Sequence, residues 1–96
     1  MEIKRINRDE WQLAASLFDR YRAFYKKQPD LALAERFIRE RLDNNESVIY
    51  VAMNGDKPVG FTQLYPKYSS VRAVKNWILN DLFVDAGFRK QALAQN

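Results

Sequence analysis

The sequence predicts an α+β, sandwich-like fold in which a mostly antiparallel sheet carries helices, in the order β-α-α-β-β-β followed by the start of a further helix. Three observations carry this expectation. Apolar residues recur at helical spacing in two stretches, at Trp11, Ala14, Ala15, Phe18, Tyr21 and Tyr25 and again at Leu31, Ala34, Phe37, Ile38 and Leu42. Two runs rich in β-branched and aromatic residues, "SVIYVAM" and "PVGFTQLYP", flank "NGDK", whose Asn-Gly pair suits a tight turn between antiparallel strands. A third apolar run, "WILNDLFV", supplies another strand.

Taken in order, "EIKRI" is short, holds apolar residues at Ile3 and Ile6 and precedes a cap, so it reads as the first strand. Asn7 with Glu10 three residues later forms a capping-box pattern and predicts a helix from Arg8 to Lys26. "KKQPD" breaks it, because proline disfavours helical geometry in the residue before it. The second helix sets its apolar stripe against Glu35, Arg36, Arg39, Glu40 and Asp43, a solvated face, and the pair Asn44 and Asn45 stops it. The hairpin follows, with Pro58 tolerable at a strand's first position. "KYSSVRAVKN" reads as a polar connection, and "WILNDLFV" as a strand covered on both faces.

Ninety-six residues with 47% hydrophobic and 14% aromatic content fit one compact domain and leave no room for a second. No repeat, low-complexity tract or linker is visible. A net charge of +4 and a pI near 9.5 favour anionic partners without choosing among them. Cysteine and histidine are both missing from the sequence, which excludes disulfides, thiol nucleophiles, imidazole bases and the usual zinc sets. Any acid or base is therefore Asp, Glu, Tyr or Lys. No stretch approaches the roughly 18 apolar residues of a membrane span, and "MEIKRINRDEW" lacks the apolar core of a signal peptide, so a cytoplasmic protein is expected.

Two places stand out chemically. With a two-residue period, Trp77, Leu79, Asp81 and Phe83 face one way and Ile78, Asn80, Leu82 and Val84 the other, so a polar group interrupts each apolar face. A carboxylate held among apolar residues is suited to general acid or base work, which makes Asp81 a candidate; the plainer alternative is a bond to nearby backbone or a pair with an arginine such as Arg72. In the closing segment, Gly87 permits a sharp turn and Arg89 and Lys90 sit beside the amides of an incipient helix, a setting that welcomes anions. Phe18, Tyr21, Phe24, Tyr25, Tyr65 and Tyr68 read first as core packing, although the lack of histidine makes an exposed tyrosine hydroxyl a candidate for proton transfer.

The succession of elements and above all "LNDLFVDAGFRKQALA" resemble the amino-terminal half of the GNAT family, N-acetyltransferases that move an acetyl group from acetyl-CoA to an amine. The resemblance implies that backbone at Leu82, Phe83 and Val84 pairs with the pantetheine arm, and that the stretch Arg89, Lys90, Gln91, Ala92, Leu93 and Ala94 cradles the pyrophosphate, Ala92 standing where the family has the loop's first glycine. It places Asn80 where some relatives that acetylate polyamines carry a glutamate. An amide holds a water but takes no proton from it, so base duty passes to Asp81 or to ordered water. Tyr25, Tyr65 and Ser69 are expected on the acceptor side. No metal is implied.

The resemblance covers essentially the whole chain as the first half to two-thirds of a family domain, so an incomplete single domain over residues 1–96 is expected. Its last strand would then be an edge, inviting a homodimer through Trp77 to Val84. A non-catalytic remnant that binds CoA or a protein partner is the alternative. A nucleic-acid-binding module lacks support, since the basic residues are dispersed and no zinc or helix-turn-helix pattern occurs.

Overall fold

The computed structural model describes residues 1–88. Four strands, β1 (Glu2–Arg5), β2 (Val48–Asn54), β3 (Lys57–Ser69) and β4 (Val74–Val84), form an antiparallel sheet in the order β1-β2-β3-β4. Two helices, α1 (Gln12–Phe24) and α2 (Leu31–Asp43), intervene between β1 and β2. No described helix is long and apolar enough to cross a membrane.

The capping box is present: Asn7 Oδ1 accepts from Asp9 N at 2.9 Å and Glu10 Oε1 accepts from Asn7 N at 3.0 Å. The turn it caps is a short 3-10 helix, Arg8–Glu10, and the α-helix begins only at Gln12, so the expected single helix from Arg8 to Lys26 is corrected at both ends. At the far end Lys26 takes a left-handed φ of 63°, and Lys27 N donates to Arg22 O at 3.0 Å, closing the helix in a Schellman arrangement before Pro29 is reached. Asp30 then caps α2 by accepting from Leu33 N at 3.1 Å. Asn45, at φ 53°, ends α2 as the sequence suggests, with Glu46 N bonded to Arg41 O at 2.8 Å. Arg39 is exposed, as expected, and its guanidinium lies 5.0 Å over the ring of Trp11.

The hairpin turn is displaced by one residue from the expected Asn-Gly pair. Asn54 pairs with Lys57, leaving Gly55 and Asp56 as the two-residue loop, with Gly55 at φ +64° in the first central position. The β3–β4 connection is shorter than the ten-residue polar stretch expected. Its flanks belong to the strands, through pairs such as Lys67↔Asn76 and Tyr68↔Lys75, and only four residues, 70–73, make the turn. Lys75 supports this ribbon by lying 4.5 Å over Trp77 and 5.9 Å over Tyr68.

The core lies between the helices and one face of the sheet. Ala14, Leu17 and Phe18 of α1, Ala34 and Ile38 of α2, Ile49 and Val51 of β2 and Phe61 of β3 are buried there. The rings of Phe18 and Phe37 stack at 5.1 Å, and Phe61 meets Phe18 edge-on at 6.1 Å. The core-packing expectation holds for Phe18 and Tyr21; Phe24, Tyr25 and Tyr68 are more than half exposed.

Strand β4 differs most from expectation. It is the outer strand of the described sheet and is not covered on both faces: Trp77, Ile78, Leu79 and Leu82 are exposed, and Asp81 is its one buried residue. Nor does one alternation run through it. Gln63 pairs with Asp81 but Leu64 pairs with Leu79, so Asn80 is an inserted residue, a β-bulge. Side chains therefore change sides at Asn80. Asp81 and Phe83 share the helix-covered face with Gln63 and Phe61, whereas Trp77 and Leu79 share the opposite face with Pro66 and Leu64. Beyond the bulge Gly60 lies directly opposite Val84; an added Cβ would meet Phe83 O at 3.1 Å and Val84 Cγ2 at 3.2 Å, so a larger residue would push the strands apart.

Candidate active site

The bulge brings a polar cluster into an apolar interior. Ser47, at the entry to β2, Gln63, in the middle of β3, and Asp81 are the buried polar residues among those described. They form one chain: Ser47 Oγ donates to Gln63 Oε1 at 2.8 Å, and Gln63 Nε2 donates to Asp81 Oδ2 at 2.8 Å. Asn80 Nδ2 donates to the other carboxylate oxygen at 3.2 Å. Hydroxyl, amide and carboxylate thus satisfy one another where an unpaired polar group would carry a penalty of roughly 1–3 kcal/mol. At the bulge itself Thr62 Oγ1 donates to Asp81 O at 2.9 Å.

The aromatic wall beside this chain comes from α1. Tyr21 lies edge-on to Phe61 at 5.6 Å, to Phe83 at 6.2 Å and to Tyr25 at 5.1 Å. Burial pushes its hydroxyl up to about 12, helped by a hydrogen bond to Asp81 and by that residue's negative charge. Tyr65, on β3, is likewise raised, by burial first and then by the charge of Asp81, with Arg41 opposing. Arg20 pairs with Asp85 at 2.6 Å and ties α1 to the end of β4.

Among the expected site residues, Asp81, Asn80 and Tyr65 come together, with Tyr25 joined to them through Tyr21. Arg72 is not the partner of Asp81; it sits in the β3–β4 turn, where its backbone N donates to Ser69 Oγ at 3.4 Å. Ser69 therefore ends β3 beside that turn, about 13 Å along the strand from Tyr65 at 3.3 Å per residue. Asp85 N donates to Val59 O at 2.8 Å, so alternation along β4 turns the main-chain groups of Phe83 toward β3 and those of Leu82 toward the outer edge. Arg89, Lys90, Gln91, Ala92, Leu93 and Ala94 lie outside the described residues. No three His, Cys, Asp or Glu side chains gather as metal ligands among the described residues.

Sequence reasoning missed Gln63 and Ser47 and gave Tyr21 to the core alone. A signal was there: Gln63 interrupts "VGFTQLY" on the same face as Phe61, and on the next strand Asp81 does the same beside Phe83. Polar residues breaking the same face of neighbouring strands are candidates to pair.

Comparison with known proteins is consistent throughout. The model of the acetyltransferase (GNAT) family matches residues 8–96. An uncharacterized N-acetyltransferase of Bacillus subtilis, YhfO, is 46% identical over 84 residues, 88% of this chain and 56% of that protein. A probable acetyltransferase of Haemophilus influenzae is 32% identical over 87 residues, 85% of this chain and 58% of that one. The crystal structure of another probable acetyltransferase superposes with a TM-score of 0.88 at 39% identity, covering 99% of this chain and 64% of that one. The chain thus spans a little over half the length of the curated relatives it matches.

Proposed function

This chain belongs to the GNAT acetyltransferase family, and from that premise we propose that it takes part in transferring an acetyl group from acetyl-CoA to a primary amine of a small molecule or protein. The observation that carries the proposal is the bulge at Asn80, which sets a buried carboxylate cluster immediately beside a strand edge whose Leu82 main-chain groups point outward. An extended, amide-bearing chain is the kind of ligand that such an edge recognises. Acetyl-CoA carries one in its pantetheine arm and supplies the activated acetyl group.

In this proposal the main chain from Leu82 to Val84 aligns the arm, and the outward N–H of Leu82 polarises the thioester carbonyl. Asp81 and Asn80 hold the water that receives the proton of the attacking amine. Tyr21 keeps the Asp81 carboxylate in place, and Tyr25 and Tyr65 line the acceptor side. Arg89 to Ala94 are assigned to the pyrophosphate on the family resemblance. Ser69 is given no part, because of its distance from the cluster.

Calorimetric titration with acetyl-CoA, followed by thiol-release assays over a panel of primary amines, tests the proposal. Binding with turnover is expected, and Asp81→Asn should lower turnover about 100-fold with little effect on acetyl-CoA affinity. Lack of binding overturns the proposal. Binding without turnover on any amine selects a non-catalytic CoA-binding domain instead. On the far side of the bulge we propose pairing with a second copy along Trp77 to Leu79, exposed on the outer strand; sedimentation giving a monomer at all accessible concentrations would refute it.

A further inference from the structure

At the Ser47 end of the polar chain, on the side remote from Asp81, a pocket of about 420 Å³ opens where the end of β1, the carboxyl end of α2 and the start of β2 meet. Its floor is apolar, from Ile6 and Leu42, and its walls carry Arg5, Arg8, Asp43 and Asn45. Arg5, Arg8 and Asp43 matter through their convergence on one concavity. Ion pairs among the described residues join Lys4 with Glu10, Arg20 with Asp85, and Arg41 with Glu40 and Glu46, none of them at this pocket. The side chains of Arg5, Arg8 and Asp43 make no ion pair or hydrogen bond with any described residue, yet all three line the same concavity.

The two signs of charge narrow the ligand. Two guanidiniums call for a carboxylate or phosphate, and arginine's planar fork suits a carboxylate well. A simple anion is nevertheless a poor match for the whole site, because Asp43 and the negative end of the α2 dipole face the same space. A molecule bearing a carboxylate at one end and an ammonium at the other satisfies both, its carboxylate toward Arg5 and Arg8 and its ammonium toward Asp43. We propose that this pocket binds a small zwitterion of the free amino acid class, the apolar floor accepting its side chain. The volume admits a ligand larger than the smallest amino acids. Because the charged groups are solvent-accessible, the affinity is weak, roughly millimolar.

The test is a titration of the isotope-labelled 96-residue chain followed by amide chemical shifts. L-alanine is the probe, with propionate and ethylammonium as its two halves. Saturable shifts confined to residues around the pocket, such as Asn7, Arg8, Asn45, Ser47 and Val48, are expected with alanine, and each half should bind several-fold more weakly. Arg8→Gln should weaken alanine binding about tenfold, as for loss of a hydrogen bond to a charged group. Asp43→Asn, which preserves shape, should abolish the preference for alanine over propionate; unchanged thermal melting of both variants excludes misfolding as the cause. Propionate binding as tightly as alanine would overturn the proposal in favour of a plain anion site. Shifts that scale with added sodium chloride, or no shifts at these residues, would also overturn it.

Discussion

On one side of Asn80, Phe61, Gln63, Asp81 and Phe83 lie beneath α1; on the other, Tyr65, Trp77, Ile78 and Leu79 run out past the end of β2 toward solvent. The two halves of the β3–β4 ribbon are similar in composition, aromatic and aliphatic with an occasional polar residue, and are paired by the same antiparallel ladder. They differ in what covers them. The inner half has a helix over it and can hold a carboxylate, an amide and a tyrosine hydroxyl in mutual contact. The outer half has only its own cross-strand contacts and a lysine lying over two rings. The buried polar groups concentrate in the inner half, where hydrogen bonds are shielded from competing water.

The sharpest test of this contrast is truncation on each side. Phe61→Ala, within the inner half and buried, should cost about 3–5 kcal/mol, against about 0.5 kcal/mol or less for Leu79→Ala on the exposed half. Thermal and urea denaturation measure both, and equal losses would mean that the outer half is covered in solution. Deleting Asn80 is the next test. With the bulge gone, Gln63↔Asp81 and Leu64↔Leu79 become consecutive pairs of a regular ladder, so no register slip is needed. Asp81 and Phe83 should stay under α1 and Trp77 and Leu79 should keep the opposite face, with loss of the Asn80 hydrogen bond to Asp81 and of the local twist, at a cost of about 1 kcal/mol. Nuclear Overhauser contacts between Tyr21 and Phe83 report the outcome; their loss would break the comparison.

The smallest effect is a pH dependence. Folding raises the Tyr21 hydroxyl from 10.0 to about 12, so the unfolded chain loses this proton first. The stability it contributes is whole below pH 10 and is lost as pH rises through about 12. Phenolate absorbance should therefore show a late-titrating tyrosine that Tyr21→Phe removes, and the fall in melting temperature across this window should become shallower in that variant.

Features held by residues close in sequence were legible before the structure. Asn7 with Glu10, the apolar spacing of α2 and the Asn44–Asn45 stop are local devices, and each acts where the sequence places it. What escaped depends on partners far along the chain. Lys67 and Tyr68 look like loop residues until Asn76 and Lys75 stand opposite them. The bulge was hidden because polar and apolar residues occur on either phase of "WILNDLFV", so a single alternation fitted as well as a broken one. Asp81 stands out for its charge, but its partners, Gln63 and Tyr21, come from β3 and α1, and the polar break at Gln63 gains meaning only once β3 and β4 are paired.

The Ser47–Gln63–Asp81 chain also sets where chemical ageing of the polypeptide would be harmful. Asn54 precedes Gly55, the pairing most prone to spontaneous deamidation, but it ends a strand at the surface, where an aspartate is tolerated. Conversion of Gln63 to glutamate would set two carboxylates against each other in the interior with no donor between them. Shelf life should therefore be governed by an amide that reacts slowly because it is sealed in, rather than by the one that reacts readily at the rim.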